Sequence, residues 1–211
     1  LPRPQRHWTP RYVKDRVQLR LWERRHPDAP WLVAEAIALL ENWLGKDDVV
    51  VEFGSGRSTR WLAARVARVI SVEHDPTWYA RVAAELKAAG IHNVECHHAV
   101  VPPGADVELR EAAYLRPATE ALGRPADMIL VDGVLRDAAA IWALEHVRRG
   151  GIVVIDNVNR YLPHVTRSPA SLGSDGHPAT ERWCAFAATV GSWRAEWFSN
   201  GVTDTAVFFR D

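Results

Sequence analysis

Four stretches of this 211-residue chain end an apolar, β-branched run in an acid or a glycine turn. The first, Val49-Val-Val-Glu52-Phe-Gly54-Ser55-Gly56-Arg-Ser58-Thr59, reads as a buried strand feeding a glycine turn into a helix. Glycines there allow both the tight turn and the close approach of main-chain N–H groups to a ligand. The second, Val69-Ile-Ser-Val-Glu73-His74, ends in an acid 19 residues beyond Gly54. In a strand-helix-strand unit that distance brings Glu73 back beside the glycine turn, where a carboxylate can accept both hydroxyls of a ribose, with His74 on the adenine side. Asp75 caps the helix that Pro76 opens. A Walker loop would need a Lys after its last glycine, and a dinucleotide fingerprint a Gly or Ala where Thr59 stands.

The third and fourth stretches, Asp127-Met-Ile-Leu-Val-Asp132 and Gly151-Ile-Val-Val-Ile-Asp156-Asn157, both end in acids. As parallel neighbours they would present Asp132, Asp156 and Asn157 on one edge, a set of hard oxygen donors suited to Mg²⁺ or Ca²⁺ and unsuited to zinc. Without a metal, Asp132 would touch cofactor or substrate and Asp156 and Asn157 would orient the loop. Arg136 stays protonated, so it can clamp an acid but cannot be a base. His164, in the following loop, is the base candidate, and Tyr161 a pocket wall. Cys96-His97-His98 is not read as a zinc cluster, because alternation along a strand turns neighbours to opposite faces.

The elements that must hold these residues alternate. Val13, Val17 and Leu21 share one side of a helix over residues 9–26, and a second helix is expected over 31–44. Then come strands at 48–53, 69–73, 93–100, 127–131 and 152–155, with helices at 57–68, 76–89, 137–149 and, in part, 107–122. That order predicts a doubly wound, mostly parallel α/β sheet. After a helix at 180–190, Asn200-Gly201 between β-prone runs signals a closing antiparallel hairpin. Residues 157–179, rich in Pro, Ser, Gly and Asn, form the longest segment without periodicity, expected to act as a lid.

The acid Glu52 two residues before Gly54, Glu73 after the second strand and the final hairpin together resemble the class I S-adenosylmethionine-dependent methyltransferases over most of residues 31–211. The resemblance implies a seven-stranded sheet with its last strand reversed, N-terminal helices on the substrate side, and domains at 1–46 and 47–211. It implies that Glu52, Gly54, Ser55, Gly56, Ser58, Thr59, Glu73, His74, His98, Ala99 and Asp132 hold S-adenosylmethionine. Ser58 stands where the family's third glycine falls. The edge of Asp132, Asp156 and Asn157 is similar to the Mg²⁺ site of catechol-type O-methyltransferases, whose basic Lys is replaced here by Leu135, with Arg136 next to it. The implied activity is methylation of a small-molecule hydroxyl, with Asp132, Arg136 and His164 at the reaction centre. A non-catalytic cofactor-binding or scaffolding protein of the same fold, and an RNA or protein methyltransferase using the basic N-terminal arm, are the alternatives.

Composition narrows the setting. With 26 Lys+Arg against 26 Asp+Glu, the chain lacks the overall charge of a nucleic-acid binder, although residues 1–26 are locally basic, with Arg3, Arg6, Arg11, Lys14, Arg16, Arg20, Arg24 and Arg25 against Asp15 and Glu23. Cys96 and Cys184 read as free thiols, which together with the absence of an apolar leader predicts the cytoplasm. The missing initiator Met points to a trimmed chain. No apolar run approaches the ~20 residues of a membrane span. The composition is compatible with a homo-oligomer.

Overall fold

The computed structural model describes residues 8–102 and 104–211. Arg3 and Arg6 lie outside the described residues. The chain order is α1 (Pro10–Arg25), α2 (Ala34–Trp43), β1 (Val49–Phe53), α3 (Arg57–Ala63), β2 (Arg68–Glu73), α4 (Pro76–Ala88) and β3 (Val94–His98). It continues with α5 (Val107–Ala121), β4 (Ala126–Val131), α6 (Arg136–His146), β5 (Val147–Asp156), α7 (Glu181–Val190), β6 (Arg194–Ser199) and β7 (Asp204–Phe209). The seven strands form one sheet in the order β3-β2-β1-β4-β5-β7-β6. β7 is antiparallel to both β5 and β6, and the remaining pairs are parallel.

Because the central strands are covered on both faces, β1 and β4 are buried at every position. Alternation sorts their side chains into two layers. Val51, Phe53, Ile129, Val131, Val153 and Ile155 pack with Tyr114, Trp142 and Trp183 on one face. Val50, Met128, Leu130 and Val154 pack with Ile37, Leu40, Trp61 and Leu62 on the other. α2 belongs to this second layer, and Val33 N donates to Thr205 Oγ1 at 3.2 Å, so half of the 1–46 segment is built into the sheet domain.

Four elements differ from the sequence reading, the first being α3, which stops at Ala63 where a helix through 68 was expected, with β2 already starting at Arg68. β5 starts at Val147, where a helix through Arg149 was expected. Gly150, at φ +70°, sits in the register shift between the Ala126–Val147 and Met128–Ile152 pairs, and the side chain of Arg148 pairs with Asp127 at 2.5 Å. α5 is helical throughout despite Pro117. The expected apolar face of α1 exists, but Val13, Val17 and Leu21 are 44–50% exposed and no residue of that helix is buried. Among the described residues no helix is long and apolar enough to cross a membrane.

Candidate active site

The C-terminal ends of β1, β2, β3 and β4 are joined by main-chain hydrogen bonds that continue past the strands. Asp132 N donates to Phe53 O at 2.9 Å, Gly54 N to Val72 O at 2.8 Å, and Ala99 N to Glu73 O at 2.8 Å. Gly54 has φ +99°, and a Cβ there would lie 2.6 Å from Gly133 N, so the turns after β1 and β4 touch as bare backbone. At Gly56 the situation is the opposite. A Cβ would meet nothing closer than Trp78 Nε1 at 4.0 Å, which leaves open space above the turn for a ligand. Trp78 fixes this turn from α4 by donating Nε1–H to Ser55 O at 2.7 Å.

Glu73 is buried and held by the main chain. Its Oε1 accepts from the N–H groups of His74 and Asp75 at 2.8 Å each, and its Oε2 accepts from Ser55 N at 3.1 Å. His74 Nδ1 adds a contact to Oε1 at 2.8 Å. A carboxylate has about four lone-pair positions, so Oε2 keeps room for one further donor. A bridge to both ribose hydroxyls would need two free positions, and the protein's own donors leave one on Oε2. His98 donates Nε2–H to His74 O at 3.2 Å and stacks on Tyr79, which places His98 and Ala99 at the level of Glu73.

Glu52 lies beneath the turn and is fully buried. Its Oε2 accepts from Thr59 Oγ1 at 2.5 Å and Ser71 Oγ at 2.6 Å, and Ser71 meets Ser55 Oγ at 2.7 Å. Thr59 Oγ1 also accepts from Gly56 N at 2.9 Å. Glu52, Ser55, Ser58 and Thr59 therefore brace the turn from below. Burial pushes the Glu52 carboxyl up to about 7, only partly offset by the surrounding hydroxyls.

Next to the turn, Asp132, Asp156 and Asn157 do converge. Arg136 occupies the space among them: its Nη2 donates to Asp132 Oδ1 at 2.9 Å and Asp132 O at 2.7 Å, its Nε to Gly133 O at 2.8 Å, and its Nη1 to Asp156 O. Asn157 turns its amide N–H groups to Asp156 Oδ2 and Thr203 Oγ1, and Thr205 donates to Asp156 Oδ1 at 2.8 Å. Burial raises the Asp132 carboxyl against the pull of Arg136; burial, with the Asp132 carboxylate adding, pushes Asp156 up to about 8. The expected Mg²⁺ ligands do not fit a divalent ion. A guanidinium already sits on the Asp132 carboxylate, and Asp156 is spent on donors from Asn157 and Thr205. Among the described residues no group of three His, Cys, Asp or Glu side chains is placed to hold a metal.

His164 is not brought to this centre. It is exposed and stacks on Trp197 of β6 at 4.1 Å, three strands from β4, roughly 14 Å across the sheet. Tyr161 stacks on Trp183 at 5.0 Å, packed against the core, and its ring lies near Arg136. The segment 157–179 is tied down more than its composition suggests. Asn159 donates to Pro169 O and Ser171 Oγ, and Ser168 donates to Asp204 Oδ1 at 2.6 Å. Tyr114, from α5, was not anticipated. Its hydroxyl is buried beside Gly133, and burial holds it protonated well above the usual tyrosine range. Its only sequence-level signal is an aromatic on a helix, whereas Gly133 directly after Asp132 marks a site where backbones meet.

Residues 51–158, from β1 to the turn after β5, match the family model described as a methyltransferase domain, just over half of the chain. The chain belongs to the class I S-adenosylmethionine-dependent methyltransferases. This methyltransferase is 30% identical over 118 residues to the catechol O-methyltransferase of Mycobacterium tuberculosis (strain ATCC 25618 / H37Rv), a stretch covering 53% of this chain and 48% of that protein. It thus spans about half the length of the curated relative it matches. Its fold is shared with a methyltransferase-like protein from Silicibacter pomeroyi, at TM-score 0.55 and 18% identity over 87% of this chain and 89% of that one. It is shared as well with an rRNA methylase from Streptococcus thermophilus, at TM-score 0.54 and 14% identity over 82% and 92%. A Streptococcus mutans protein in complex with SAH follows at TM-score 0.53 and 12% identity over 82% and 94%.

Proposed function

We propose that this methyltransferase transfers a methyl group from S-adenosylmethionine to a hydroxyl of a small-molecule acceptor. The observation that carries the reading is the convergence of the Gly54–Gly56 turn, the pre-oriented Glu73 and Asp132 on one edge of the sheet. The choice of a hydroxyl is supported by the name of the 30% identical relative. The cofactor would supply an electrophilic methyl carbon on a sulfonium, to which the acceptor oxygen bonds in line as the C–S bond breaks and S-adenosylhomocysteine departs as a neutral thioether. The open backbone at Gly56, the remaining lone pair of Glu73 Oε2, His74, His98 and Ala99 hold the cofactor, and orientation of acceptor and methyl group supplies several kcal/mol of the rate enhancement.

Asp132, with a quarter of its side chain exposed at the cleft, takes the acceptor's proton. Arg136 is a positioning residue. Four of its N–H directions are spent on Asp132, Gly133 and Asp156, so it fixes Asp132 and locks the turns after β4 and β5 together. The fixed positive charge of Arg136 stands where the catechol-type pattern would have a metal.

Incubation of the chain with methyl-labelled S-adenosylmethionine and a panel of phenols, catechols and sugar alcohols, read by mass spectrometry, tests this. One acceptor is expected to gain one labelled methyl at a rate unchanged in excess chelator. Asp132→Asn is expected to slow it by ~100-fold or more, the scale of a lost general base. Cofactor binding with no labelled product across the panel would favour the scaffolding alternative, and loss of turnover in chelator would restore the metal.

A further inference from the structure

A groove of about 1240 Å³ runs between the end of α1, the α1–α2 connection, α3 and α4, and meets the cofactor turn only at Gly56. Small-molecule pockets enclose ~300–1,000 Å³; this one, of about 1240 Å³, is larger, and five arginines line it beside its indole rings. Guanidinium groups lie over indole rings along it: Arg57 over Trp31 at 5.0 Å, Arg65 over Trp61 at 4.0 Å and Arg81 over Trp78 at 4.9 Å. Arg65 is also paired with Glu41, and Arg81 with Glu85. Arg25, Arg57 and Arg60 form no ion pair among the described residues. Asp28 is the one lining acid outside those two pairs, so five arginines face three acids and the groove carries a net charge of two positives in a chain of formal net charge 0, a local positive field.

Unpaired arginines interleaved with aromatic rings along a track match one class of ligand. The arginines take a phosphate backbone while planar bases stack on the indoles and guanidinium planes. Trp31, 53% exposed, offers such a platform, and Arg60 projects from the exposed side of α3 one turn beyond Arg57. Anionic membranes also attract Arg and Trp, but they engage a face that can lie in the interface plane, and here the indole of Trp61 is buried at the floor of a hollow. We propose that this groove docks single-stranded nucleic acid, a binding function that adjoins the methyl-transfer cleft at Gly56 and is independent of the acceptor's identity.

Fluorescence anisotropy of labelled 12-nucleotide oligouridylate and oligothymidylate, titrated with the intact chain over a series of salt concentrations, tests the proposal. Three phosphate contacts predict a slope of log K against log salt of about −2. Arg25→Ala/Arg60→Ala is expected to weaken binding ~10-fold or more and bring the slope to about −1. Trp31→Ala is expected to cost ~5-fold or more with the slope unchanged, because stacking releases no counterions, and Trp31→Phe to recover most of the loss. The ratio of the two oligonucleotides identifies RNA or DNA as the source. The proposal is overturned if polyphosphate or polyglutamate binds as tightly as the oligonucleotides, if anionic vesicles compete them off, or if Trp31→Ala, melting like the wild type, binds unchanged.

Discussion

Single residues carry most of the chemistry here, and the legible ones are those placed by a strand end. Gly54, Glu73 and Asp132 are visible in the sequence because each follows a β-branched run, and a parallel sheet brings such ends together. Tyr114 and Thr205 reach the same place from elements distant in the chain, Trp78 reaches it from the helix that follows Glu73, and nothing in their local sequence shows it. Tyr114 leads to a paired prediction. A side chain at position 133 would strike its hydroxyl, so Gly133→Ala is expected to cost about 1–3 kcal/mol in urea unfolding, the scale of an overpacked core. Adding Tyr114→Phe should recover at least half of that, and strict additivity of the two changes would contradict the geometry. Glu52 gives a pH prediction. Its folded value of about 7 lies above the ordinary 4.5, so between these values the folded chain keeps a proton that the unfolded chain has lost. Stability therefore falls as pH rises from about 4.5 to about 7, by up to ~3 kcal/mol, and Asp156 acts in the same direction. Glu52→Gln should flatten this slope in thermal melts between pH 5 and pH 8; an unchanged slope would mean that Glu52 is ionised throughout.

Whole elements decide which of the candidates can meet. The Val147 start of β5 was hidden because Val147-Arg148-Arg149 continues the expected helix over 137–149 and Gly150-Gly151 reads as its stop, although Gly150 supplies the positive φ of a strand irregularity. His164 follows β5 in the chain as a base candidate should, yet its stacking on Trp197 depends on β7 inserting between β5 and β6, which spacing alone does not reveal. α1 passes over the C-terminal edge. With the 157–160 turn and the β6–β7 loop it encloses a hollow of about 210 Å³, and Asp15 lies against Gly201. An element with no fully buried residue, tied to the core chiefly through the half-buried Trp22, is suited to shaping an acceptor site while carrying little of the fold. Removal of residues 1–26 is expected to leave S-adenosylmethionine affinity within about threefold while turnover falls by at least ~10-fold, measured by calorimetry and by product mass. Undiminished turnover would show that α1 plays no part in acceptor binding.

At the scale of the molecule, the order of strands and helices was readable because each strand is short, β-branched and bounded by turns, and the Asn200-Gly201 turn announced the reversed last strand. The neutral net charge, an average over the chain, concealed the arginine groove. The central claim is that this edge of the sheet is a pre-organised S-adenosylmethionine site centred on Glu73. Calorimetric titration of wild type and Glu73→Ala with S-adenosylhomocysteine and with NAD tests it most directly, with melting curves recorded because Glu73 also serves three main-chain N–H groups. One charge-assisted hydrogen bond is worth roughly 1.5–3 kcal/mol, so the substitution is expected to weaken S-adenosylhomocysteine binding ~10-fold or more in a chain that still melts cooperatively, with NAD bound weakly by both. Equal affinity of wild type and variant, or tighter binding of NAD than of S-adenosylhomocysteine, would contradict the account.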